Sequence, residues 1–350
     1  MDKIMKIGMG IHGERRLNPN YLDYVKQIGA THVIVFMPDG DLLPSAKNGG
    51  VWDLDELKGL CKLYRDKGLV VEGFENFDPK AYYKILLDEP GKQEQMDNLK
   101  RNIENMGKAG IPIMGYNFSI GACCARPMQP VARGGALSPC YDESVAPIHD
   151  PLPLGWAWDT QVLDNPPEGK LAPVSLEEML QRRDWFLDQI LPVAEEYGVQ
   201  MAAHPEDPPV PVLRDAARIL ISPQAYEEMF QRHPSPSTCV EFCQGTFAEM
   251  GVDVYEVIRS FVTRNKISYV HFRNIKGKVP RYSEVFIDEG DIDMVKALSV
   301  YKECGYTGLL MPDHTPSINC QNPNETGMAY AVGYIRGIMQ ALDIEVEEVK

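Results

Sequence analysis

The feature that most constrains the fold is an eightfold repeat, in which a short apolar or β-branched run is followed by a stretch with helical periodicity. Predicted strands cover residues 6–11, 31–37, 69–77, 111–118, 199–204, 238–243, 267–272 and 308–312. Predicted helices cover residues 20–28, 54–67, 93–106, 175–197, 223–231, 254–264, 292–303 and 327–342. Eight strand–helix units of this kind predict an α/β fold, the (β/α)8 or TIM barrel, with buried parallel strands.

A doubly wound parallel sheet is the alternative arrangement of the same elements. Such a sheet usually has a glycine-rich phosphate-binding turn after its first strand, and the segment GMGIHGERR at that position does not match GxGxxG. The length of 350 residues also suits one barrel. We therefore expect a single TIM-barrel domain over residues 1–350.

One long segment interrupts the repeat after the fourth strand. Residues 119–173 are rich in Pro, Gly, Ala and Cys and have no helical period for most of their length. A loop at this position leaves the carboxyl-terminal face of a barrel, where active sites lie, so it is a candidate active-site lid. A disordered insertion is the alternative, but Trp156 and Trp158 argue against it, because large aromatic side chains usually pack.

Composition excludes several classes of partner. The formal net charge of −15 opposes binding to a phosphate backbone, so we expect no nucleic-acid partner. No apolar run approaches the roughly 18 residues of a membrane span, and the first residues lack the apolar core of a secretory signal, so we expect a cytoplasmic protein without a membrane partner. None of the eight cysteines forms a CxxC pair, which argues against a disulfide framework.

Four consecutive predicted strands end on or next to a residue that can bind a metal. These residues are His204 in MAAHPEDPP, Cys243 in CVEFCQG, His271 in YVHFRN and Asp313 in LLMPDHTP. Each alone has an ordinary structural explanation as a core histidine, a buried thiol or a loop cap. Together, at the ends of neighbouring barrel strands, they predict one metal site. Their nitrogen, sulfur and oxygen donors suit Zn²⁺, Fe²⁺ or Mn²⁺ better than Ca²⁺ or Mg²⁺.

The residue after Asp313 is a histidine, His314. Adjacent side chains diverge at a strand end, so if Asp313 faces the metal, His314 can face the pocket as an acid or a base near neutral pH. The alternative is a histidine at the rim that is hydrogen-bonded to the loop.

The same segments resemble those of the mannonate dehydratase family, which has a xylose-isomerase-like TIM barrel. The resemblance rests on HPEDPP, FCQG, YVHFRN, YSEVFIDEGDIDM and the PDH triplet, and GLVVEGFEN and GYNF extend it over most of the chain. It implies a lyase that removes water from D-mannonate to give 2-keto-3-deoxy-D-gluconate, with Mn²⁺ or Fe²⁺ as cofactor. It also implies a catalytic role for His314 and metal ligation by His204, Cys243, His271 and Asp313.

Dehydration next to a carboxylate calls for groups that hold the substrate. Arg273, in YVHFRN, is predicted to pair with the substrate carboxylate, or alternatively to bridge to Glu284 or Asp291. Asn117 and Glu75, at the ends of the fourth and third strands, are predicted to bind hydroxyl groups or to be structural.

The chain departs from the family pattern around the substrate. SIGACCAR follows GYNF where the family has an aspartate-tryptophan-threonine-arginine run, so Arg126 matches the family's arginine and Cys123 replaces the aspartate. The family also has a tyrosine near the last helix that acts with the catalytic histidine. Ala329 occupies that position here, and the neighbouring Tyr330 is predicted as the second catalytic residue.

We therefore expect a metal-dependent sugar-acid dehydratase. The second hypothesis is a sugar or keto-sugar isomerase or epimerase on the same barrel, which would use the metal without expelling water. The third is a non-catalytic sugar-binding protein with a structural metal. All three predict a small sugar acid or sugar as ligand and leave other divalent metals open, and a homo-oligomer is expected for a barrel of this size.

Overall fold

The computed structural model, which describes residues 4–349, confirms the predicted barrel. Its strands are β1 (Ile4–Ile11), β2 (His32–Phe36), β3 (Val70–Glu75), β4 (Ile113–Tyr116), β5 (Gln200–Ala203), β6 (Thr238–Cys243), β7 (Ile267–His271) and β8 (Leu309–Met311). Each strand pairs in parallel with the next, and β8 pairs with β1, where Lys6 lies opposite Leu309, so the sheet is closed. A short strand, Glu345–Val346, adds to the start of β1.

Ten helices surround the barrel in the described part of the chain. They are α1 (Pro19–Gln27), α2 (Leu54–Asp66), α3 (Pro79–Leu87), α4 (Lys92–Ala109), α5 (Leu176–Tyr197), α6 (Pro223–Arg232), α7 (Gln244–Glu249), α8 (Val254–Val262), α9 (Met294–Glu303) and α10 (Pro323–Ala341). The eight predicted helices are present. None of the helices within residues 4–349 is both long and apolar enough to cross a bilayer.

Two helices were not predicted, α3 and α7. Helix α3 contains the run YYKILL, which resembles a strand, but Asp78 caps its first turn through the backbone N–H of Lys80 and Pro79 opens it. Helix α7 has only six residues and begins directly after Cys243, at the end of β6. It is too short for helical periodicity to identify it.

The barrel interior changes from apolar to charged along the strands. A cluster of buried apolar side chains from five strands fills one part of it: Ile34, Ile113, Ala202, Tyr269, Leu309 and Met311. Glu241 lies opposite Tyr269 in the β6–β7 pair, and Cys243 lies opposite His271 two residues further along the strands. The charged layer therefore occupies the end of the barrel at which the strands finish, which is where TIM-barrel sites are built.

The insertion at residues 119–173 has regular structure. Its strands Met128–Ala132 and Ala136–Asp142 form a hairpin that pairs with Arg281–Val285, which in turn pairs with Asn274–Lys278. Trp156 and Trp158 pack against the main core. The alternative of a disordered insertion does not hold, whereas a lid function stays a prediction.

A buried histidine at the start of β2 gives a testable pH dependence. The hydroxyl of Thr31 lies 2.8 Å from Nδ1 of His32. Burial, and then the charge of Lys6, lower the pKa of His32 from 6.5 to about 4. The folded protein therefore keeps a neutral ring where the unfolded chain binds a proton, so this contribution to stability is lost as the pH falls below 6.5.

We expect the free energy of unfolding to fall by about 2 kcal/mol more between pH 7 and pH 5 in the unmodified protein than in His32→Gln. Urea unfolding of both proteins at the two pH values measures this difference. The same pH dependence in both proteins would contradict the assignment.

Candidate active site

A cavity of about 160 Å³ lies at the carboxyl ends of the barrel strands and brings together most of the predicted site residues. Seven of them line it: Glu75, Asn117, Arg126, His204, His271, Asp313 and His314. The insertion contributes Cys123 and Trp158 in addition to Arg126, so one wall comes from outside the barrel.

Three predicted metal ligands converge. One donor atom each from His204, Cys243 and His271 lies within 4.8 Å of the others, and all three side chains are buried. Burial raises the pKa of the Cys243 thiol, but Arg273 and the two histidines lower it by more, so that its pKa is well below that of a free thiol. The thiolate form, which binds metals, is thereby favoured.

Asp313, the fourth predicted ligand, lies on the other side of the His271 ring from the buried glutamates. Its Oδ2 is 3.5 Å from Nδ1 of His271 and accepts a hydrogen bond of 3.1 Å from Nε of Arg273. The structure therefore places Asp313 next to His271, outside the group of three converging donors, with its carboxylate in contact with the Arg273 guanidinium.

A second group around His271 includes a residue that sequence analysis missed. Glu75, Glu241 and His271 also have donor atoms within 4.8 Å of one another. Nε2 of His271 is 3.2 Å from Oε1 of Glu241 and 3.4 Å from Oε2 of Glu75. Burial and the charge of Glu75 raise the pKa of Glu241 to about 8. The available signal was a charged residue inside the apolar run CVEFC, two positions before Cys243 and so on the same face of the strand.

These donors fit a divalent metal. Both ring nitrogens of His271 and both carboxylate oxygens of Glu241 are buried and have no hydrogen-bond partner within residues 4–349. Buried polar atoms are almost always partnered in folded proteins. Imidazole, carboxylate and thiol side chains that each bring a donor atom within 4.8 Å of the others in their group form donor sets that can hold Mn²⁺, Fe²⁺ or Zn²⁺.

His314 lies at the mouth of the cavity in a fixed orientation. Its Nδ1 is 2.9 Å from Oε2 of Glu284, and its Nε2 is 3.3 Å from Oδ1 of Asp313. Partial desolvation at the cavity mouth lowers the pKa of His314, but Asp313 and Glu284 raise it by more, so the net shift is upward. The side chain is 42% exposed, which leaves the ring within reach of a ligand.

The prediction that Arg273 binds the substrate carboxylate is contradicted by its surroundings. The side chain is 3% exposed and does not line the cavity. It donates hydrogen bonds to Glu249 and Asp207, each at 2.9 Å, besides the one to Asp313. Arg273 is therefore a buried bridge between carboxylates. The predicted alternative named Glu284 and Asp291 as its partners, whereas its hydrogen bonds go to Glu249, Asp207 and Asp313.

Arg126 and Asn117 do face the cavity. Arg126 donates a hydrogen bond of 2.7 Å to Asp207 and another to Glu284, while its Nε has no hydrogen-bond partner among the described residues. The side-chain oxygen of Asn117 accepts a hydrogen bond of 3.3 Å from the indole N–H of Trp158. Asp207, three residues after His204 in the HPEDPP motif, was not among the predicted site residues. Its carboxylate pairs with both Arg126 and Arg273.

Tyr330 does not reach the cavity. It lies on α10, is 39% exposed and contacts the ring of Phe286 at a centroid distance of 6.1 Å. Neighbouring helical residues point about 100° apart, so a shift of one position turns a side chain away from the site. The structure therefore contradicts the predicted catalytic role of Tyr330.

Comparison with known proteins identifies relatives of this chain. The family model for D-mannonate dehydratase (UxuA) matches residues 5–348. Mannonate dehydratase 2 of Halalkalibacterium halodurans is 28% identical over 305 residues, which cover 84% of this chain and 86% of that protein.

Solved structures show the same fold. The crystal structure of mannonate dehydratase from Streptococcus suis serotype 2 aligns with a TM-score of 0.80 at 24% identity, covering 99% of this chain and 96% of the other. A xylose isomerase domain protein from Planctomyces limnophilus aligns with a TM-score of 0.59 at 13% identity, covering 97% of this chain and 99% of the other. This chain therefore shares its barrel fold with both proteins.

Proposed function

The chain belongs to the D-mannonate dehydratase family, and we propose from this that it removes water from D-mannonate to give 2-keto-3-deoxy-D-gluconate. The observation that carries the proposal is the family match over residues 5–348, which supports a hydro-lyase acting on a sugar acid. The match favours dehydration over the isomerase and epimerase hypothesis, because the family is defined by loss of water.

The cofactor is proposed to be Mn²⁺ or Fe²⁺, held by His204, Cys243 and His271 with Asp313 as the fourth predicted ligand. The convergence of the first three side chains supports this assignment. When bound, a divalent metal supplies Lewis-acid stabilisation of the negative charge that develops beside the substrate carboxylate.

His314 is proposed to transfer a proton in the reaction. In the dehydration, the C2 proton passes to a base, and the C3 hydroxyl takes a proton from an acid and leaves as water. The resulting enol loses its hydroxyl proton and takes up a solvent proton at C3 to become the 2-keto-3-deoxy acid. The upward shift in the pKa of His314 increases the protonated fraction of the ring, which suits protonation of the departing hydroxyl. Glu284 and Asp313 hold the ring in place through contacts at Nδ1 and Nε2, respectively.

Arg126 and Asn117 are proposed to contact the substrate, Arg126 at its carboxylate and Asn117 at a hydroxyl. Both side chains line the cavity, and Nε of Arg126 is a free donor among the described residues. The insertion at residues 119–173 is proposed to act as a lid, because it supplies Cys123, Arg126 and Trp158 to the cavity wall.

The reaction class is tested by anaerobic incubation of the Mn²⁺-loaded protein with D-mannonate and with stereoisomeric aldonic acids, followed by mass spectrometry. We expect D-mannonate alone, or D-mannonate fastest, to lose the mass of one water, and a chelator to abolish the loss. A product of unchanged mass would support isomerisation instead, and no reaction with any aldonic acid would refute the proposal.

Tyr330→Phe is expected to change kcat/KM for D-mannonate by no more than about twofold, because the hydroxyl lies outside the cavity. Steady-state kinetics of the variant and the unmodified protein measure this. A loss of tenfold or more would mean that α10 moves Tyr330 to the substrate during the reaction.

A further inference from the structure

Two glutamates inside the barrel lack the arginine partners that other buried carboxylates at the barrel mouth have. Asp207 pairs with Arg126 and Arg273, and Glu206 lies 3.0 Å from Nη2 of Arg218. Glu249 and Glu284 each pair with an arginine as well. Among residues 4–349, by contrast, the basic groups at ion-pair distance from Glu75 and Glu241 are histidines alone: His271 for both, and His204 at 4.0 Å for Glu241.

Glu241 is the more deeply buried of the two glutamates. Its side chain is completely buried, and neither carboxylate oxygen has a hydrogen-bond partner in the described part of the chain. A buried carboxylate without a partner costs several kcal/mol. Gly115 on β4 makes room for it, since a Cβ at that position would lie 2.7 Å from Oε2 of Glu241. The barrel therefore accommodates a carboxylate at this point, although an apolar side chain would be more stable there without a ligand.

The ring of His271 lies between Asp313 on one side and the two glutamates on the other. Its Nδ1 faces Asp313 and its Nε2 faces Glu75 and Glu241. Metal-binding histidines commonly present one nitrogen to the metal and the other to an orienting carboxylate. Here the nitrogen on the side of Glu75 and Glu241 is Nε2, and the carboxylate on the Nδ1 side is that of Asp313.

We propose that Glu75 and Glu241 bind a divalent cation together with Nε2 of His271. This inference deepens the proposed function, on which it rests: it adds two carboxylate ligands to the predicted metal centre and gives Asp313 the role of orienting His271 in place of binding the metal. Two carboxylates and one imidazole form an oxygen-rich set that suits Mn²⁺, Fe²⁺ or Mg²⁺ better than a soft metal. The cation compensates the two buried charges, and Asp313 then holds the His271 ring through Nδ1.

The first part of the test is Mn²⁺ affinity, measured by equilibrium dialysis of metal-depleted protein without substrate. We expect Glu241→Gln to bind Mn²⁺ at least about tenfold more weakly than the unmodified protein. Glu75→Gln, on a different strand, should weaken binding in the same direction. Glu72→Gln is the matched control, because Glu72 lies on β3 like Glu75 but pairs with Lys6 outside the group, and its affinity should be unchanged. Unchanged affinity in Glu241→Gln would overturn the proposal.

Thermal unfolding distinguishes weaker binding of Mn²⁺ by a variant from a defect in its folding. Mn²⁺ should raise the Tm of the unmodified protein and of Glu72→Gln, because a ligand that binds only the folded state stabilises it. The rise should be much smaller in Glu241→Gln. The metal-free Glu241→Gln protein should itself be at least as stable as the metal-free unmodified protein, since it no longer buries an ionisable carboxyl group whose oxygens lack hydrogen-bond partners among the described residues. An equal rise in Glu241→Gln would overturn the proposal.

The second part separates direct ligation from the effect of a nearby charge. A crystal structure of the Mn²⁺-loaded protein should show the anomalous peak about 2.0–2.6 Å from an oxygen of Glu241 and an oxygen of Glu75. A peak bonded only to His204, Cys243, His271 and Asp313 would overturn the proposal, even if Glu241→Gln weakens binding. None of these readouts uses D-mannonate, so the cation site can stand if the proposed substrate fails.

Discussion

His314→Gln is expected to lower kcat for dehydration of D-mannonate by about 10²–10⁴-fold, the usual contribution of a general acid or base. The reason is that the ring lines the cavity and is held at its mouth by Glu284 and Asp313. The Mn²⁺ affinity should stay within about threefold, because His314 belongs to neither group of potential metal ligands.

The measurement is steady-state kinetics of Mn²⁺-loaded His314→Gln together with its metal affinity. His149→Gln is a matched control, since His149 is an exposed histidine of the insertion that pairs with Asp215 away from the cavity. The control should keep full activity. If His314→Gln loses its metal along with its activity, the residue acts through the metal site and the proposed proton transfer is wrong.

The second large effect concerns stability. Arg273→Met is expected to lower the free energy of unfolding by about 3–5 kcal/mol, because removing one partner leaves buried charges uncompensated. Arg273 is 3% exposed and donates to three carboxylates, those of Asp207, Glu249 and Asp313, which come from three different parts of the barrel mouth. Methionine keeps a comparable volume and removes the charge and all of the donors.

Urea unfolding of metal-free protein measures this loss. Arg133→Met is the matched control, because Arg133 is half exposed and pairs with Asp288 on the surface. Exposed pairs contribute at most about 1 kcal/mol, so the control should lose no more than that. Equal losses in the two variants would contradict the role assigned to Arg273.

Most of the fold was predictable because parallel barrel strands are buried on both faces. Each therefore appears as a continuous apolar run, and all eight were found, with ends that differ by a few residues. Helices α3 and α7 were missed for local reasons, since one has a strand-like composition and the other is shorter than two helical turns. The sheet formed by the insertion was missed because its strands pair with Arg281–Val285, more than 130 residues further along the chain.

The metal ligands were predictable because the ends of neighbouring strands must converge at the barrel mouth, which brings His204, Cys243 and His271 together. Glu241 was missed because it lies inside a strand, where a charged side chain is recognised as inward-facing only once the barrel is closed. Arg273 was misassigned because its partners approach from separate elements, and their sequence positions give no sign that they enclose it. The prediction for Tyr330 depended on the rotation of α10 about its axis, which packing against residues such as Phe286 determines.

The most direct test of the dehydratase assignment is a reaction in D₂O. The Mn²⁺-loaded protein is incubated anaerobically with D-mannonate, the metal is removed, and the products are analysed by proton NMR and mass spectrometry. We predict a 2-keto-3-deoxy acid with one deuterium at C3, because C3 takes up a solvent proton after the hydroxyl leaves. Recovery of unreacted D-mannonate, or of an isomer that has lost no water, would contradict the account.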